Sequence, residues 1–319
     1  MSEGNHPARL RVIFAGTPAF AVPALKALIE APGVELVAVY TQPDRAAGRG
    51  RQLKESAVKA CALAHGLPVR QPLTWRDPTV LSALRALDAD LLVVAAYGLI
   101  LPAESLGIPR LGSVNLHASL LPRWRGAAPV QRAIMAGDTV TGVTLMRVVP
   151  ALDAGPMLAR ISTPIEPHDT GGTLEARLAA LGAGLLRDTL PALAAGTLPA
   201  ESQNPDDVTH AAKITREDRE IDWTRPAAEI ERRIRALQPS QPATTSIAGI
   251  PVTLLEAVSV DAVPDARPGT LMDFNAAGID VATGAGVLRI TSLQPQGKRP
   301  VSARDFVNGY GARLRQAGS

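Results

Sequence analysis

The sequence predicts an α/β protein in which a doubly wound, mainly parallel sheet is followed by a small C-terminal β-barrel domain. Three features of the 319-residue chain predict this fold class. Short apolar runs alternate with amphipathic stretches through the first part of the chain, as in βαβ units. A polar, aperiodic segment at 200–209 (AESQNPDDVT) is typical of a linker. Beyond it, short apolar runs are separated by Gly, Pro and Asp, which is typical of a small barrel.

The elements of the first part follow from apolar periodicity and from residues that break helices. Continuous apolar runs rich in β-branched residues predict strands at 10–15, 34–41, 90–96, 112–117 and 142–149. Apolar residues at helical spacing predict helices at 20–30, 55–65, 77–87, 127–136 and 173–193. We therefore expect a Rossmann-like domain over residues 1–203.

The second part is predicted to begin after a linker at 204–215. A helix is predicted at 227–237, and a short closing helix at 303–307. Between them, five short strands are predicted at 244–247, 250–255, 269–272, 278–282 and 287–293. Strands of this length at regular spacing predict an OB-like barrel domain over residues 216–319.

Composition and charge argue against several classes of protein. Lys and Arg number 33 and Asp and Glu 30, and the net charge of +3 is too small to indicate a polyanion partner by itself. The one cysteine, Cys61, cannot form an intrachain disulfide. The apolar stretch at 91–103 contains Gly98 and Pro102 and is shorter than the roughly 20 residues that span a bilayer. The start of the chain has no apolar signal core. We expect a cytoplasmic protein without a membrane partner.

The strongest local signal is the segment at 113–129 (SVNLHASLLPRWRGAAP), which includes an Asn-x-His pair at the end of the strand predicted at 112–117. Side chains alternate along a strand, so Asn115 and His117 lie on the same face. A carboxamide can hold a developing oxyanion and an imidazole can move a proton, which acyl transfer requires. A buried histidine with satisfied hydrogen bonds is the alternative for His117.

Asp153 lies in a tight turn (LDAGP, 152–156) after the strand predicted at 142–149. A carboxylate placed there can orient a histidine and stabilise its charged form. A plain Asx turn is the alternative for Asp153 alone. Because Asn115, His117 and Asp153 follow two successive strands of one sheet, we expect their side chains to lie within reach of one another.

A basic loop with glycines follows the second predicted strand. Five cations lie within residues 41–59, namely Arg45, Arg49, Arg51, Lys54 and Lys59. Doubly wound folds bind ligands at the carboxyl ends of their strands, and guanidinium groups suit phosphates. From charge alone, a solvated surface loop is the alternative.

Other common sites are disfavoured by the sequence. The first strand-to-helix loop has Gly16 but not the G-x-G-x-x-G spacing that a pyrophosphate needs, so a nicotinamide enzyme is disfavoured. His, Cys and Glu residues nowhere show metal-ligand spacing, and we expect no metal.

Several motifs together resemble the methionyl-tRNA formyltransferase family. They are FAGTP at 14–18, QPDR at 42–45 with GRG at 48–50, AYGLILP at 96–102, Asn115 and His117, SLLPRWRGAAP at 119–129, LD at 152–153 with Gly155, and IDW at 221–223. The resemblance covers nearly the whole chain, and the block at 119–129 is its most specific part. Asn115, His117 and Asp153 by themselves resemble the wider superfamily, which includes glycinamide-ribotide and amino-sugar enzymes.

The resemblance implies a reaction and a set of site residues. The formyl donor would be 10-formyltetrahydrofolate, and the acceptor would be the α-amino group of initiator methionyl-tRNA. Catalysis would fall to Asn115 and His117, with Asp153 orienting His117. Folate contacts are implied at Ser119, Leu120, Leu121 and Pro122. Contacts with tRNA are implied at Phe20, Arg45 and Arg49, and in the barrel domain at Lys298 and Arg299. We expect a monomer.

The sequence departs from the family pattern at three places. Ala118 stands where Gly is frequent, Ala46 replaces a common Pro, and PSQPAT at 239–244 replaces a Pro-Trp-Pro-Gly-like segment. Two other functions are compatible with the sequence. An N-formyltransferase acting on an amino sugar nucleotide would use the same folate chemistry and ignore tRNA. A non-catalytic RNA-binding module is the other, and the intact set of Asn115, His117 and Asp153 argues against it.

Overall fold

The computed structural model describes residues 9–47 and 52–317. The strands in chain order are β1 (Leu10–Gly16), β2 (Val34–Tyr40), β3 (Arg45–Ala47), β4 (Gln52–Lys54), β5 (Val69–Arg70), β6 (Leu91–Ala95), β7 (Ser113–His117), β8 (Arg125–Gly126), β9 (Val140–Arg147), β10 (Met157–Pro164), β11 (His210–Ala211), β12 (Thr244–Ile247), β13 (Ile250–Val260), β14 (Leu271–Asn275), β15 (Gly278–Ala282), β16 (Val287–Pro295) and β17 (Val301–Ser302). The helices are α1 (Val22–Glu30), α2 (Ala57–Ala64), α3 (Pro78–Arg85), α4 (Ala103–Leu106), α5 (Pro129–Ala136), α6 (Gly171–Ala195), α7 (Ala227–Leu237) and α8 (Ala303–Ala317).

The chain divides into two compact units, each gathered from separate stretches of sequence. The first unit comprises Met1–Gly126, Thr141–Thr163 and Glu175–His210. The second comprises Ala127–Val140, Pro164–Leu174 and Ala211–Ser319. Each unit thus combines three separate stretches of the chain, whereas the predicted boundaries at 203 and 216 give two domains that are each continuous in sequence. Those boundaries stay a prediction.

The first unit is built on a mainly parallel sheet, which confirms the predicted fold class. Within the described residues the strand order is β10-β9-β7-β6-β1-β2-β5. β1 pairs in parallel with β2 and β6, and β6 pairs in parallel with β7. All five residues of β6 are buried, which explains its continuous apolar sequence. Burying a Leu or Val side chain fully contributes about 1.5–3 kcal/mol to the free energy of unfolding.

The far edge of this sheet departs from the parallel pattern. β9 runs antiparallel to β7, with Leu116 opposite Leu145 and Val114 opposite Arg147. β10, the outermost strand, was not predicted. Beyond its first two residues, its side chains alternate between half-buried and exposed, as on an edge strand. An alternating polar edge strand leaves no apolar run for a sequence search to detect.

The long helix α6 begins after a reciprocal cap. Thr173 N–H donates to the Thr170 hydroxyl, and Thr170 N–H donates to the Thr173 hydroxyl. By length and composition α6 is also the one described helix that could cross a membrane. A single such helix is weak evidence, because core helices pass the same test, and Leu174, Leu178 and Leu186 of α6 are fully buried in the protein.

The second unit contains the predicted C-terminal β-domain. Its antiparallel sheet has the strand order β12-β13-β16-β15-β14, with β17 paired to β16, and forms an open half-barrel in the described residues. α7 covers β13 and β16, and its Ile230 and Ile234 lie in one core with Leu254 and Leu288. The closing helix is longer than the predicted 303–307. Phe306, Tyr310 and Leu314 recur every four residues, and this stripe extends the helix through its two glycines.

Adding a methyl group at Gly142 of β9 should destabilise the first unit. A Cβ atom there would lie 2.1 Å from the carbonyl oxygen of Ile161, so the edge strands would have to shift. We expect Gly142→Ala to lower the free energy of unfolding by about 1–3 kcal/mol, as overpacking does.

Gly184→Ala is the matched control for this change. Gly184 lies within α6, and the nearest atom to an added Cβ is the end of the Arg187 side chain at 3.9 Å. Replacing a helical glycine there should raise the free energy of unfolding by about 0.5–1 kcal/mol. Urea unfolding measures both variants, and a Gly142→Ala variant at least as stable as the wild type would contradict the packing described at Gly142.

Candidate active site

His117 is the last residue of β7, and its ring is held by a backbone carbonyl. Its side chain is only 6% exposed. Nε2 lies 2.8 Å from the carbonyl oxygen of Trp124. Since a carbonyl only accepts, Nε2 carries the hydrogen and Nδ1 is the free base of the neutral ring. Nδ1 faces the Asp153 carboxylate, with Oδ2 at 3.7 Å.

Asp153 is fixed by the backbone of a second loop. Its Oδ2 accepts a hydrogen bond of 2.9 Å from the N–H of Gly126. The distance of 3.7 Å to His117 is longer than a hydrogen bond, so Asp153 acts on the ring as a nearby charge. Asp153 itself has a left-handed backbone, with φ of 47°. Such a conformation persists where surrounding contacts hold it, and it is frequent at functional sites.

The route that brings Asp153 to His117 differs from the one expected. We expected two successive strand ends to place the three side chains together. β9 runs antiparallel to β7, so beyond Leu145 it leads away from His117. Val148 N–H still donates to the carbonyl of Ser113, which continues the pairing. The residues between Val148 and Asp153 must therefore turn back, and proximity comes from this loop and not from the strand ends.

Asn115 lies two residues before His117 on β7, opposite Met146 of β9. Its side chain is partly exposed. Among the described residues, its carboxamide has no hydrogen-bond partner. The alternation of a strand places Asn115 on the same face as His117. A donor of this kind is available to a bound molecule.

The loop after β7 buries two of the four residues implied in folate contact. Ser119 is fully buried, and its hydroxyl donates to the carbonyl of Arg123 at 2.6 Å. Leu121 is also buried, against Met146 and Met157. Leu120 and Pro122 are partly exposed. Folate contact by this segment stays a prediction, and exposed surface for it comes from Leu120 and Pro122.

Thr144 of β9 supports the same loop from beneath. Its hydroxyl donates to the carbonyl of Ser119 at 2.7 Å and accepts from the N–H of Leu121 at 3.0 Å. Trp124, at the end of the loop, has φ of 65°, and the Arg123 guanidinium lies 4.6 Å from its ring centroid. The loop that presents the Trp124 carbonyl to His117 is therefore held at several points.

The basic loop predicted after the second strand begins and ends as a short hairpin. β3 pairs antiparallel with β4, with Arg45 opposite Lys54. At its base, Lys59 donates to Asp44 at 2.5 Å and Gln71 donates to Asp44 at 2.8 Å. These hydrogen bonds lower the pKa of Asp44, and the bond to Asp44 raises the pKa of Lys59. Arg45 is exposed, and Arg49 lies outside the described residues.

A buried aromatic group lies under the same edge of the sheet. The Trp75 indole donates to the Tyr97 hydroxyl oxygen at 2.8 Å, and burial raises the pKa of Tyr97 to about 12. The Tyr97 carbonyl accepts from Thr17 at 2.8 Å and from Gln42 at 2.9 Å. Phe20, implied in tRNA contact, is only 8% exposed. That contact stays a prediction.

In the second unit, Lys298 and Arg299 are exposed and precede β17. Arg299 borders an open groove with Ser292, Val301 and Asp305. Their contact with tRNA stays a prediction. Elsewhere, no three His, Cys, Asp or Glu side chains in the described part of the chain are placed to hold a metal ion.

Two partners in the site could not be predicted from the pattern of side chains, namely the Trp124 carbonyl and the Gly126 N–H. A backbone group carries no side-chain signal. The glycine of the RWRG segment was the one available hint, because Gly126 adopts φ of 121°.

Comparison with known proteins gives a consistent result. The family model described as "Formyl transferase" matches residues 8–190, and "Formyl transferase, C-terminal domain" matches residues 213–311. The methionyl-tRNA formyltransferase of Methylococcus capsulatus is 52% identical over 94% of this chain and 97% of its own. That of Coxiella burnetii is 47% identical over 96% of this chain and 97% of its own.

Among solved structures, an N-formyltransferase from Helicobacter canadensis, in complex with folinic acid and dTDP-3-aminofucose, is similar to this chain with a TM-score of 0.62. The match covers 88% of this chain and 98% of that one, at 16% identity. At that identity, the similarity shows a shared fold alone.

Thr144→Val should weaken the loop after β7. Valine keeps the shape of the side chain but leaves the Leu121 N–H and the Ser119 carbonyl without this partner, and each such buried group costs about 1–3 kcal/mol. Thr144→Ser keeps the hydroxyl and removes one methyl, which costs about 0.8 kcal/mol. Urea unfolding of the two variants is the measurement, and a serine variant as unstable as the valine variant would contradict the role of the hydroxyl.

Proposed function

The chain belongs to the methionyl-tRNA formyltransferase family, and we propose that it uses Asn115, His117 and Asp153 to transfer the formyl group of 10-formyltetrahydrofolate to the α-amino group of initiator methionyl-tRNA. The product is the formylated tRNA that begins translation. The observation that carries the proposal is the meeting of His117 and Asp153, 3.7 Å apart, beside Asn115 on β7.

An amino sugar nucleotide is not favoured as the acceptor. The relatives that share about half of their residues over nearly the whole chain are named for methionyl-tRNA. The N-formyltransferase from Helicobacter canadensis that was solved with dTDP-3-aminofucose shares only the fold. Wild-type protein offered both acceptors with the same formyl donor should formylate methionyl-tRNA and leave the sugar nucleotide unchanged.

The transfer forms a bond from the amine nitrogen to the formyl carbon and breaks the bond from that carbon to N10 of the folate. The amine loses a proton and N10 gains one. While the carbon is tetrahedral, its oxygen carries negative charge. The carboxamide of Asn115, which has no partner among the described residues, donates to this oxygen. One donor of this kind is worth about 2.7–4 kcal/mol in the barrier.

His117 manages the proton through Nδ1, because its Nε2–H is held by the Trp124 carbonyl. A proton taken at Nδ1 faces the Asp153 carboxylate, and the two opposite charges attract. The Gly126 N–H donates to Asp153 Oδ2 and so holds that carboxylate beside the ring. Asp153 thus orients His117 and stabilises its charged form without accepting the proton.

The formyl donor and the tRNA are expected to meet at this edge of the sheet. We assign the folate to the loop at 119–122, with Leu120 and Pro122 supplying its exposed surface. For tRNA, Arg45 and Arg49 of the basic loop and Phe20 would contact the acceptor end, and Lys298 and Arg299 would contact the phosphate backbone. A cytoplasmic monomer with no metal and no membrane partner completes the proposal.

Removing any of the three side chains should abolish most of the turnover. We expect Asn115→Ala, His117→Ala and Asp153→Ala each to lower kcat for methionyl-tRNA formylation by more than about a hundredfold. His168→Ala, at an exposed histidine outside the helices and strands, is the matched control and should keep wild-type kcat. Thermal melting checks that every variant is folded, and near-normal turnover by folded His117→Ala would remove the proposed site.

The affinity for tRNA should fall steeply with salt, because neutralised phosphates release counterions on binding. The slope of log K against log salt is negative, and we expect Lys298→Ala and Arg299→Ala each to reduce its magnitude by about one unit. Lys26→Ala, at an exposed lysine of α1, is the control of equal charge. Filter binding or fluorescence anisotropy gives the slopes, and a flat salt dependence of the wild type would contradict the electrostatic contact.

A further inference from the structure

The segment predicted as a linker lies against both loops of the active site. Met157 and Glu201 exchange two backbone hydrogen bonds of 2.8 Å. Farther along, the Thr209 carbonyl accepts from Arg125 N–H at 2.9 Å, and the Thr209 hydroxyl accepts from Trp124 N–H at 2.9 Å. Residues 201–209 are therefore bonded at their two ends to the strand after the Asp153 turn and to the Trp124 loop.

Gln203, between those two ends, joins the two loops through one side chain. Its Nε2 donates to the carbonyl of Asp153 and to the carbonyl of Gly155, each at 2.8 Å. Its Oε1 accepts from Arg125 Nε at 2.8 Å. Both amide hydrogens and the amide oxygen are thus used, and the side chain is half-buried.

The backbone that Gln203 holds is the backbone that aims the Asp153 carboxylate. Asp153 has φ of 47°, and a Cβ on Gly155 would lie within 1.9 Å of the Arg147 carbonyl oxygen, so the turn has little freedom in where it can lie. Gly126, which donates to the carboxylate, directly follows Arg125, which donates to Gln203. One amide therefore fixes the position of the carboxylate and of its donor together.

We propose that Gln203 is a positioning residue for formyl transfer: it joins the Asp153 turn to the loop that carries Trp124 and Gly126, and so keeps the carboxylate beside His117. This inference rests on the proposed function. Gln203 contacts no group that reacts, and it acts through Asp153. Because a displacement of about 1 Å can cost up to a hundredfold in rate, its loss reduces kcat by tenfold or more.

Gln203→Glu is the sharpest variant, because the two side chains have nearly the same size. A carboxylate cannot donate, so it would face the Asp153 and Gly155 carbonyls with like partial charge while still accepting from Arg125. Gln203→Ala removes all three hydrogen bonds. Asn204→Ala is the matched control, since within the described part of the chain the exposed Asn204 side chain bonds only to the adjacent turn, at Asp206 and Asp207.

The experiment measures kcat, the KM for each substrate and the melting temperature of the full-length protein with charged initiator tRNA. We expect both Gln203 variants to lower kcat at least tenfold, with each KM within about threefold of wild type and melting within a few degrees. Asn204→Ala should keep kcat within twofold. Normal kcat in folded Gln203→Glu, or loss of folding in both Gln203 variants, would overturn the proposal.

A double variant separates positioning from a general structural role. If Gln203 acts through Asp153, then Gln203→Glu added to Asp153→Ala should lower kcat by less than about twofold more. If the fold-losses in kcat of the two single variants multiply in the double variant, the proposal is overturned. Wild-type protein that fails to formylate methionyl-tRNA would overturn the proposed function and this inference together, whereas active wild type with active Gln203→Glu overturns the inference alone.

Discussion

The hydrogen bond from the Gly126 N–H to the Asp153 carboxylate is the contact on which the active site depends. It joins the Asp153 turn, which lies between β9 and β10, to the last residue of the two-residue strand β8. A hydrogen bond to a charged group contributes about 1.5–3 kcal/mol. Trp124 and Asp153 both adopt left-handed backbone, which costs about 1–3 kcal/mol each. The loops therefore hold their shape because such bonds offset the strain, and the placement of His117 follows from that balance.

The fold of the first unit could be predicted because its central strands are buried on both faces. β6 and the centre of β1 are apolar without interruption, so their position and class follow from the sequence alone. The same reasoning fails at β10. Beyond its first two residues every second side chain is exposed, so the strand has no continuous apolar run. The reasoning also ends α8 too early, because the glycines in that helix favour a break that its stripe of buried residues overrides.

Of the candidate site, the sequence predicts the side chains that take part but not the backbone groups that position them. Asn115 and His117 share a strand face by simple alternation, and Asp153 follows from its tight turn. The reason for their proximity was not predictable, since the antiparallel direction of β9 depends on the long-range pairing of Leu116 with Leu145. The groups that fix the ring and the carboxylate belong to the backbone, so no side chain in the sequence identifies them.

Neutral polar side chains hold the loops at the carboxyl ends of the strands by donating hydrogen bonds to loop carbonyls. Thr144 bonds the Ser119 carbonyl, Gln42 bonds the Tyr97 carbonyl, and the linker amide of Gln203 bonds two more. Loop carbonyls that no ladder satisfies need such donors when they are shielded from water. The sequence does not indicate this role for these residues, because Thr and Gln are common in any loop. In a site made of loops, the residues that set the geometry are therefore those whose side chains bond to the backbone, and they are found by following the carbonyls of the catalytic turns.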